Sequence, residues 1–356
     1  MKHAAGLAAL PLQTPGRLRR LVGLGDPAST WERIMDGERV LHGVDERVWH
    51  AWRGCRGLED TVAARCADAG IGVTWLGGPG YPTALLEDPR GPGVLFHRGA
   101  PGVLARRRVG IIGTRAASRA GAAFARRLGN DLALNGVAVV SGLARGIDVA
   151  AHRGALAAVS GVPVAVVAGG ADVTYPPEHG AEWEEIAARG VVLSEAPPGA
   201  APETHRFPLR NRILAGLCEV LVVVESRARG GSMITVREAM MRDVTVLAVP
   251  GPPSMPVSDG TNALLRDGCG PVTDVDDVMV ALGLVAGARL RSVDTRRRPA
   301  GAEQFLLAAF GGSPRTCEEL VLATGRERFD VGVMLGRLEA DGWVSHDNGW
   351  WEALTS

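Results

Sequence analysis

Two stretches decide the fold: Val109-Gly110-Ile111-Ile112-Gly113-Thr114-Arg115, and Val137-Ala138-Val139-Val140-Ser141-Gly142-Leu143-Ala144-Arg145-Gly146. Each is a short unbroken apolar run that ends in small residues and an arginine. A strand wetted on one face alternates apolar and polar residues, whereas one covered on both faces is apolar throughout. Four further runs share this character: Pro163–Ala168, Val191–Leu193, Val220–Val224 and Val244–Val249. Stretches of helical length fit between them, including Arg119–Asn135, Ile147–Val159 and Met233–Arg242. The alternation predicts an α/β fold, an extended Rossmann-like doubly wound parallel sheet over residues 76–285.

Toward the N-terminus, to about Trp75, apolar residues recur at helical spacing: Leu18, Leu21 and Val22, then Trp31, Ile34 and Met35, then Val48, Trp49 and Trp52, then Val62, Ala63 and Cys66. Residues 1–75 are expected to form a helical module. Its Val22-Gly23-Leu24-Gly25-Asp26 turn has a SAM-like or helix–hairpin–helix-like form that could offer N–H groups to phosphate, and it serves equally as a plain turn.

Beyond the α/β region, Gly287, the run Arg296-Arg297-Arg298 and Pro299 mark a linker over 286–299. Helical stretches follow at Glu303–Phe310, from Ser313-Pro314 through Leu322, and at Phe329–Ala340, the last with Val333, Leu335 and Leu338 expected inward. Trp343–His346 and Trp350–Leu354 flank Asp347-Asn348-Gly349, and Asn-Gly between apolar runs signals a hairpin. Three helices and a hairpin are the order of a winged helix, expected over 300–356. Its third helix offers only Arg328 and Arg337, opposed by Glu339, so a protein-docking role is as open as duplex binding.

The chain has 356 residues, 39 basic and 39 acidic side chains, 46% apolar and 22% charged residues. At roughly 100–200 residues per domain this suits two or three domains, and it excludes a disordered chain, a collagen-like fibre or a disulfide-rich miniature. The longest apolar stretch, Gly161–Val173, is broken by Pro163, Gly169 and Gly170, short of the ~18 residues of a membrane helix. Ala5–Leu10, ahead of Pro11, is too brief for a signal peptide. A cytoplasmic protein without membrane association is expected. Five cysteines, Cys55, Cys66, Cys218, Cys269 and Cys317, form no C-x-x-C pair, so neither a disulfide framework nor a metal site is expected. Zero net charge averages over the whole surface and leaves nucleic acid open. Lys2 is the only lysine, and arginine forks suit phosphate better than lysine point charges.

In an open parallel sheet, ligands bind beyond the C-terminal strand ends. There the first strand gives Gly113-Thr114-Arg115 and Ser118, and the second gives Ser141, Gly142 and Arg145. The Val220–Val224 run gives Glu225-Ser226-Arg227-Ala228-Arg229-Gly230-Gly231-Ser232. Three loops of glycine, hydroxyls and arginine meeting helix N-termini predict a phosphate-bearing ligand. The G-x-G-x-x-G fingerprint and the Walker A motif are both absent, which disfavours NAD and ATP; no cofactor is expected. His205-Arg206-Phe207-Pro208-Leu209-Arg210-Asn211-Arg212 sets a ring among cations, as a single-stranded nucleic-acid groove requires. The same octapeptide could instead hold a core phenylalanine among surface salt bridges. Asp148 and His152, four apart, share a helix face; with Asp148 near a helix N-terminus, His152 is expected simply to hydrogen-bond it. Ser141 and Ser232 lack a His–Asp partnership, and Tyr175-Pro176-Pro177 should shape a turn. No catalytic residue is expected.

These motifs resemble the DprA (Smf) family of DNA-processing proteins. The resemblance is carried by Val109–Arg115, Ser141–His152, Tyr175-Pro176, Leu193-Ser194-Glu195, Phe207–Leu217, Gly231–Thr235 and Val249-Pro250-Gly251, in order across about Leu76–Leu284. It implies a non-enzymatic protein that binds single-stranded DNA, dimerises through its Rossmann-like domain and loads a RecA-class recombinase in natural transformation and recombination. Single-strand-binding protein and duplex DNA are further partners to consider. By motif position, Arg115 and Arg145 would contact phosphate, the latter where the family often has Lys. Phe207 would stack on a base, Arg210 and Asn211 would shape the pocket floor, and Gly231 and Ser232 would donate to a phosphate. Gly230-Gly231-Ser232 departs from the usual Ser-Gly-Ser, which should loosen the loop. Gly113, Ser141 and Gly142 complete the expected single-stranded DNA site.

An alternative is a Rossmann-like nucleotide phosphoribohydrolase acting on a phosphorylated small molecule. Gly230-Gly231-Ser232, Thr235 and Glu238 faintly echo its P-G-G-x-G-T-x-x-E motif, without the spacing or the leading proline. A winged-helix regulator with a sensor domain is the remaining reading.

Overall fold

A computed structural model describes residues 1–284, 297–347 and 349–354. Strands β1 (Gly72–Trp75), β2 (Val94–Gly99), β3 (Arg108–Ile112), β4 (Ala138–Ser141), β5 (Pro163–Val166), β6 (Val191–Ser194), β7 (Val220–Val223), β8 (Thr245–Ala248) and β9 (Gly270–Pro271) form one sheet. Its order is β1-β2-β6-β5-β4-β3-β7-β8-β9. From β6 to β9 all neighbours are parallel, whereas β2 runs antiparallel to β6 and to β1. The doubly wound parallel sheet expected from the apolar runs is present, extended by an antiparallel edge. Residues 72–75, read from sequence as the end of a helical segment, are instead strand β1. Val73, Thr74 and Trp75 are β-formers, and pairing with β2 outweighs the helical rhythm before them.

The central strands send alternate residues to opposite faces. Val109, Ile111, Val220 and Val222 pack with helices Arg119–Leu134 and Ile147–Ala157. Ile112, Leu221 and Val223 pack with helices Arg206–Leu217 and Ser232–Met240. Both faces are covered, which is why these strands carry no polar alternation.

Helices Lys2–Ala9, Pro15–Val22, Pro27–Met35, Glu46–Arg53 and Leu58–Asp68 share a core with β1, β2, β5 and β6. Trp31 and Trp52 are fully buried there, with Trp183 of helix Gly180–Arg189. Thr14, Asp26 and Asp45 cap three of these helices, accepting from the N–H of Arg17, Ser29 and Arg47. Such caps contribute about 1 kcal/mol each. The turn at Gly23–Asp26 joins two helices, as its glycines imply.

At the C-terminal end, helices Ala302–Ala308, Cys317–Thr324 and Arg328–Ala340 pack with β10 (Arg315–Thr316), β11 (Val344–Asp347) and β12 (Trp350–Ala353), paired in the order β10-β12-β11. Most of the expected linker, 286–296, and Asn348 of the expected Asn-Gly turn lie outside the described residues. Leu335 and Leu338 point inward as expected, but Val333 is 39% exposed, and Val331 and Met334 take the inward positions beside them. The spacing 331, 334, 335, 338 follows one helical face, which Val333 does not share. Among the described residues no helix is long and apolar enough to cross a membrane.

Candidate functional site

The chain builds outward from β3 through β4, β5 and β6, then returns to lay β7 on the other side of β3. The loops after β3 and β7 therefore part at a topological switch point, where open α/β sheets bind ligands. They are pinned to each other: Thr114 N donates to Glu225 O at 2.7 Å. The Glu225 carboxylate accepts from Ser118 N at 2.8 Å and from the Ser118 hydroxyl. Ser118 also caps helix Arg119–Leu134 by accepting from Gly121 N at 2.9 Å. This anchorage leaves Arg115 exposed at the rim.

The Arg115 guanidinium carbon lies 5.0 Å from the ring centroid of Phe207, on the first turn of helix Arg206–Leu217. The Tyr175 ring is 5.8 Å from Phe207, tilted by 59°. Arg115, Gly142, Arg145, Tyr175, Phe207 and Arg210 border one pocket. An adjoining cleft of about 450 Å³ shares Arg115, Phe207 and Arg210 and adds Gly113, Asn211, Gly231 and Ser232. Nine of the ten site residues expected from sequence border these two spaces. Ser141 does not: its hydroxyl is buried and donates to Ile111 O at 2.6 Å, tying β4 to β3.

The floor is a buried ion pair at longer range. Arg210 donates from Nη1 to Val166 O at 2.7 Å, and Asp148 accepts from Gly142 N at 3.2 Å. Burial pushes the Asp148 carboxyl above the usual range, against the pull of Arg210 and the N–H groups of Ala144 and Gly142. Burial likewise lowers Arg210, and the Asp148 charge opposes that shift. A Cβ on Gly142 would lie 1.7 Å from Arg210 Nη1 and 2.6 Å from Asp148 Oδ2, so any other residue here must displace the Arg210 guanidinium.

Next to it, buried Leu143 adopts left-handed backbone at φ 52°, with its carbonyl accepting from His179 Nδ1 at 3.1 Å. Such a conformation costs on the order of 1 kcal/mol and is concentrated at functional loops. His152 does not hydrogen-bond Asp148 as expected: Asp148 turns toward Gly142, and the buried imidazole has the Ser141 backbone as its neighbour instead. Burial drives its pKa down to about 3, so the imidazole is neutral.

Arg145 is exposed but ion-paired with Glu178, which raises its pKa. A phosphate at Arg145 would have to displace that carboxylate. In the third loop Ser226 Oγ and Ser232 Oγ lie 2.8 Å apart, and Gly231 faces open space. Tyr175 and Ser226 also border the site but were not among the expected site residues, although Ser226 stood in the third loop. Tyr175 stood as a turn former beside Pro176 and Pro177 and as part of a family motif, with no binding role, yet it follows β5 at the same edge of the sheet. Glu238, the carboxylate of the hydrolase-like motif, is committed to ion pairs with Arg90 at 2.9 Å and Arg242 at 2.7 Å. Among the described residues no group of His, Cys, Asp or Glu could hold a metal ion.

Residues 72–283 match the family model for DNA recombination-mediator protein A. A DNA processing protein DprA of Mycobacterium tuberculosis is 39% identical over 255 residues, covering 70% of this chain; the chain spans 65% of the length of that relative. The X-ray structure of DNA processing protein A from Streptococcus pneumoniae is similar over 79% of this chain and 97% of its own, at 30% identity and a TM-score of 0.67. A Helicobacter pylori DNA processing protein A, whose structure describes a single-stranded DNA binding mode, is similar over 60% of this chain and 95% of its own, at 27% identity and a TM-score of 0.53.

Proposed function

The chain belongs to the DNA recombination-mediator protein A family, and on that premise we propose that its switch-point groove binds single-stranded DNA without strong sequence preference. The observation that carries this reading is the cluster of Arg115, Phe207 and Tyr175 at the rim. A guanidinium that can pair a phosphate stands beside rings that can take a base. Phe207 stacks a base face, which every base has, and Arg115 neutralises the phosphate next to it. Arg145 adds a second phosphate contact once Glu178 is displaced, and the open Gly231 backbone with Ser232 serves a third. Arg210 and Asp148 engage the interior rather than the ligand, so base edges go largely unread.

In this reading the protein performs no catalysis, needs no cofactor, and works in the cytoplasm as a homodimer that loads a RecA-class recombinase onto the bound strand. Residues 300–356 act as a winged-helix domain. The hydrolase alternative gains no support from Glu238, whose carboxylate is already neutralised by two arginines.

Fluorescence anisotropy with labelled oligo-dT and a matched duplex, titrated over salt, tests the groove. Preference for the single strand that weakens as salt rises is expected from counterion release. Equal or better duplex binding, or affinity untouched by Arg115→Glu, would refute it. Loading is tested by recombinase filament formation on strand pre-coated with single-strand-binding protein, which should speed up when the chain is added.

A further inference from the structure

Helix Arg119–Leu134 starts four residues beyond Arg115 and carries Arg119, Arg126 and Arg127. Arg119 and Arg126 are seven apart, two helical turns, and so lie on one face. Arg127 adjoins them and sits 5.2 Å from the Phe124 ring. A cationic stripe thus leads away from the groove, beginning where Arg115 ends.

The stripe is covered by the chain's own C-terminal residues. The Arg119 guanidinium carbon lies 4.1 Å from the Trp350 ring centroid, a close cation–π contact. Glu352, two residues on and on the same side of β12, faces Arg126 and Arg127. Beside these contacts a cleft of about 490 Å³ opens between Phe124 and Val249 on one side and Leu307, Phe310 and Pro314 on the other. Burial pushes the Glu352 carboxyl above its ordinary range, and both arginines pull it down. A ring on one guanidinium, then an anion before two more along an extended chain, is the chemical layout of a base followed by a phosphate.

We propose that Arg119, Arg126 and Arg127 form a second binding surface for single-stranded DNA, continuous with Arg115, and that Trp350 and Glu352 occupy it in place of base and phosphate until a strand long enough to reach it displaces them. This rests on the groove reading given above. A short oligonucleotide fills only the groove, and a longer one competes with the C-terminal residues for the arginine stripe.

The test compares anisotropy salt titrations of the full chain with oligo-dT of about 6 and about 25 nucleotides, bracketing common single-strand site sizes. Trp350→Ala and Glu352→Arg should each leave the short oligonucleotide unchanged, bind the long one more tightly and steepen its salt dependence. Trp350→Ala uncovers Arg119, worth a slope change of about 0.7 on single strands, and Glu352→Arg frees Arg126 and Arg127, worth about 1.4, beside about 0.7 for the arginine it adds. Arg119→Gln, which leaves β12 intact, should remove part of that gain when combined with Glu352→Arg. Long-oligonucleotide slopes that match wild type in all of these variants overturn the proposal while leaving the groove standing. Wild type that binds neither oligonucleotide overturns both.

Discussion

Replacing Phe207 by alanine isolates the stacking part of the groove. The ring is only half-buried on the first turn of its helix, so the fold should lose little. What disappears is a base platform worth roughly 1–3 kcal/mol per stacked base. The oligo-dT dissociation constant should therefore rise by about 5- to 150-fold. No charge is removed, so the slope of log affinity against log salt should stay at its wild-type value. Arg115→Gln should behave differently, reducing that slope by about 0.7 through one lost phosphate contact. Because the two side chains lie 5.0 Å apart, the double variant should fall short of additivity by about 0.5–1 kcal/mol, the scale of an exposed cation–π contact. Anisotropy on the four proteins at several salt concentrations reads every one of these quantities. Affinity of Phe207→Ala within twofold of wild type, in a protein that melts normally, would refute stacking at this ring.

Glu178→Gln should release Arg145 for phosphate, tightening oligo-dT binding and steepening the salt slope by about 0.7 without lowering the melting temperature; unchanged binding would remove Arg145 from the groove. Gly142→Ala should cost about 1–3 kcal/mol, the scale of overpacking, because its Cβ forces the Arg210 guanidinium to shift from its bond to Val166. Denaturant unfolding that finds less than about 1 kcal/mol would mean the floor can yield. His152 is neutral in the fold, with a pKa of about 3, whereas the unfolded chain takes up a proton below about 6.5. Its contribution is complete above that value and is lost as pH falls toward 3, about 2 kcal/mol by pH 5. The raised Asp148 carboxyl acts in the opposite sense, so the comparison is with His152→Leu, whose stability should fall less between pH 7 and pH 5. Parallel curves would absolve the histidine.

Where the sequence was legible, it was so because burial on two faces leaves a strand nothing polar to show. β3, β4, β5, β6, β7 and β8 lie within the apolar runs or overrun them by a single residue, and the small residues and arginines after them marked the edge proposed here to bind. β1 and β2 escaped notice because they lie at an edge and mix residue types, as in His97 and Arg98. Arginines proved hardest to sort. Arg115 and Arg210 look alike in the chain, yet one is exposed and the other is buried by Asp148, which lies 62 residues earlier in sequence (210 − 148). Tyr175 meets Phe207 only through the packing of the loops after β5 and β6. Val333 was misplaced by phase alone, one residue being enough to rotate a side chain off the inward face.

The return of the chain from β6 across the sheet to β7 has a consequence for the order of folding. Arg115 and Phe207 are 92 residues apart (207 − 115), with β4, β5 and β6 laid down between them. Closing so long a loop must precede the contact that rewards it, and such pairings are slow. A chain emerging from the ribosome therefore lays down six of the nine described strands, β1 to β6, before the helix that carries Phe207, and the Thr114–Ser118 loop gains its Glu225 anchor only after β7. The groove exists only after the crossover helix has docked, so a strand bound there as proposed would stabilise the finished fold and none of the states on the way to it.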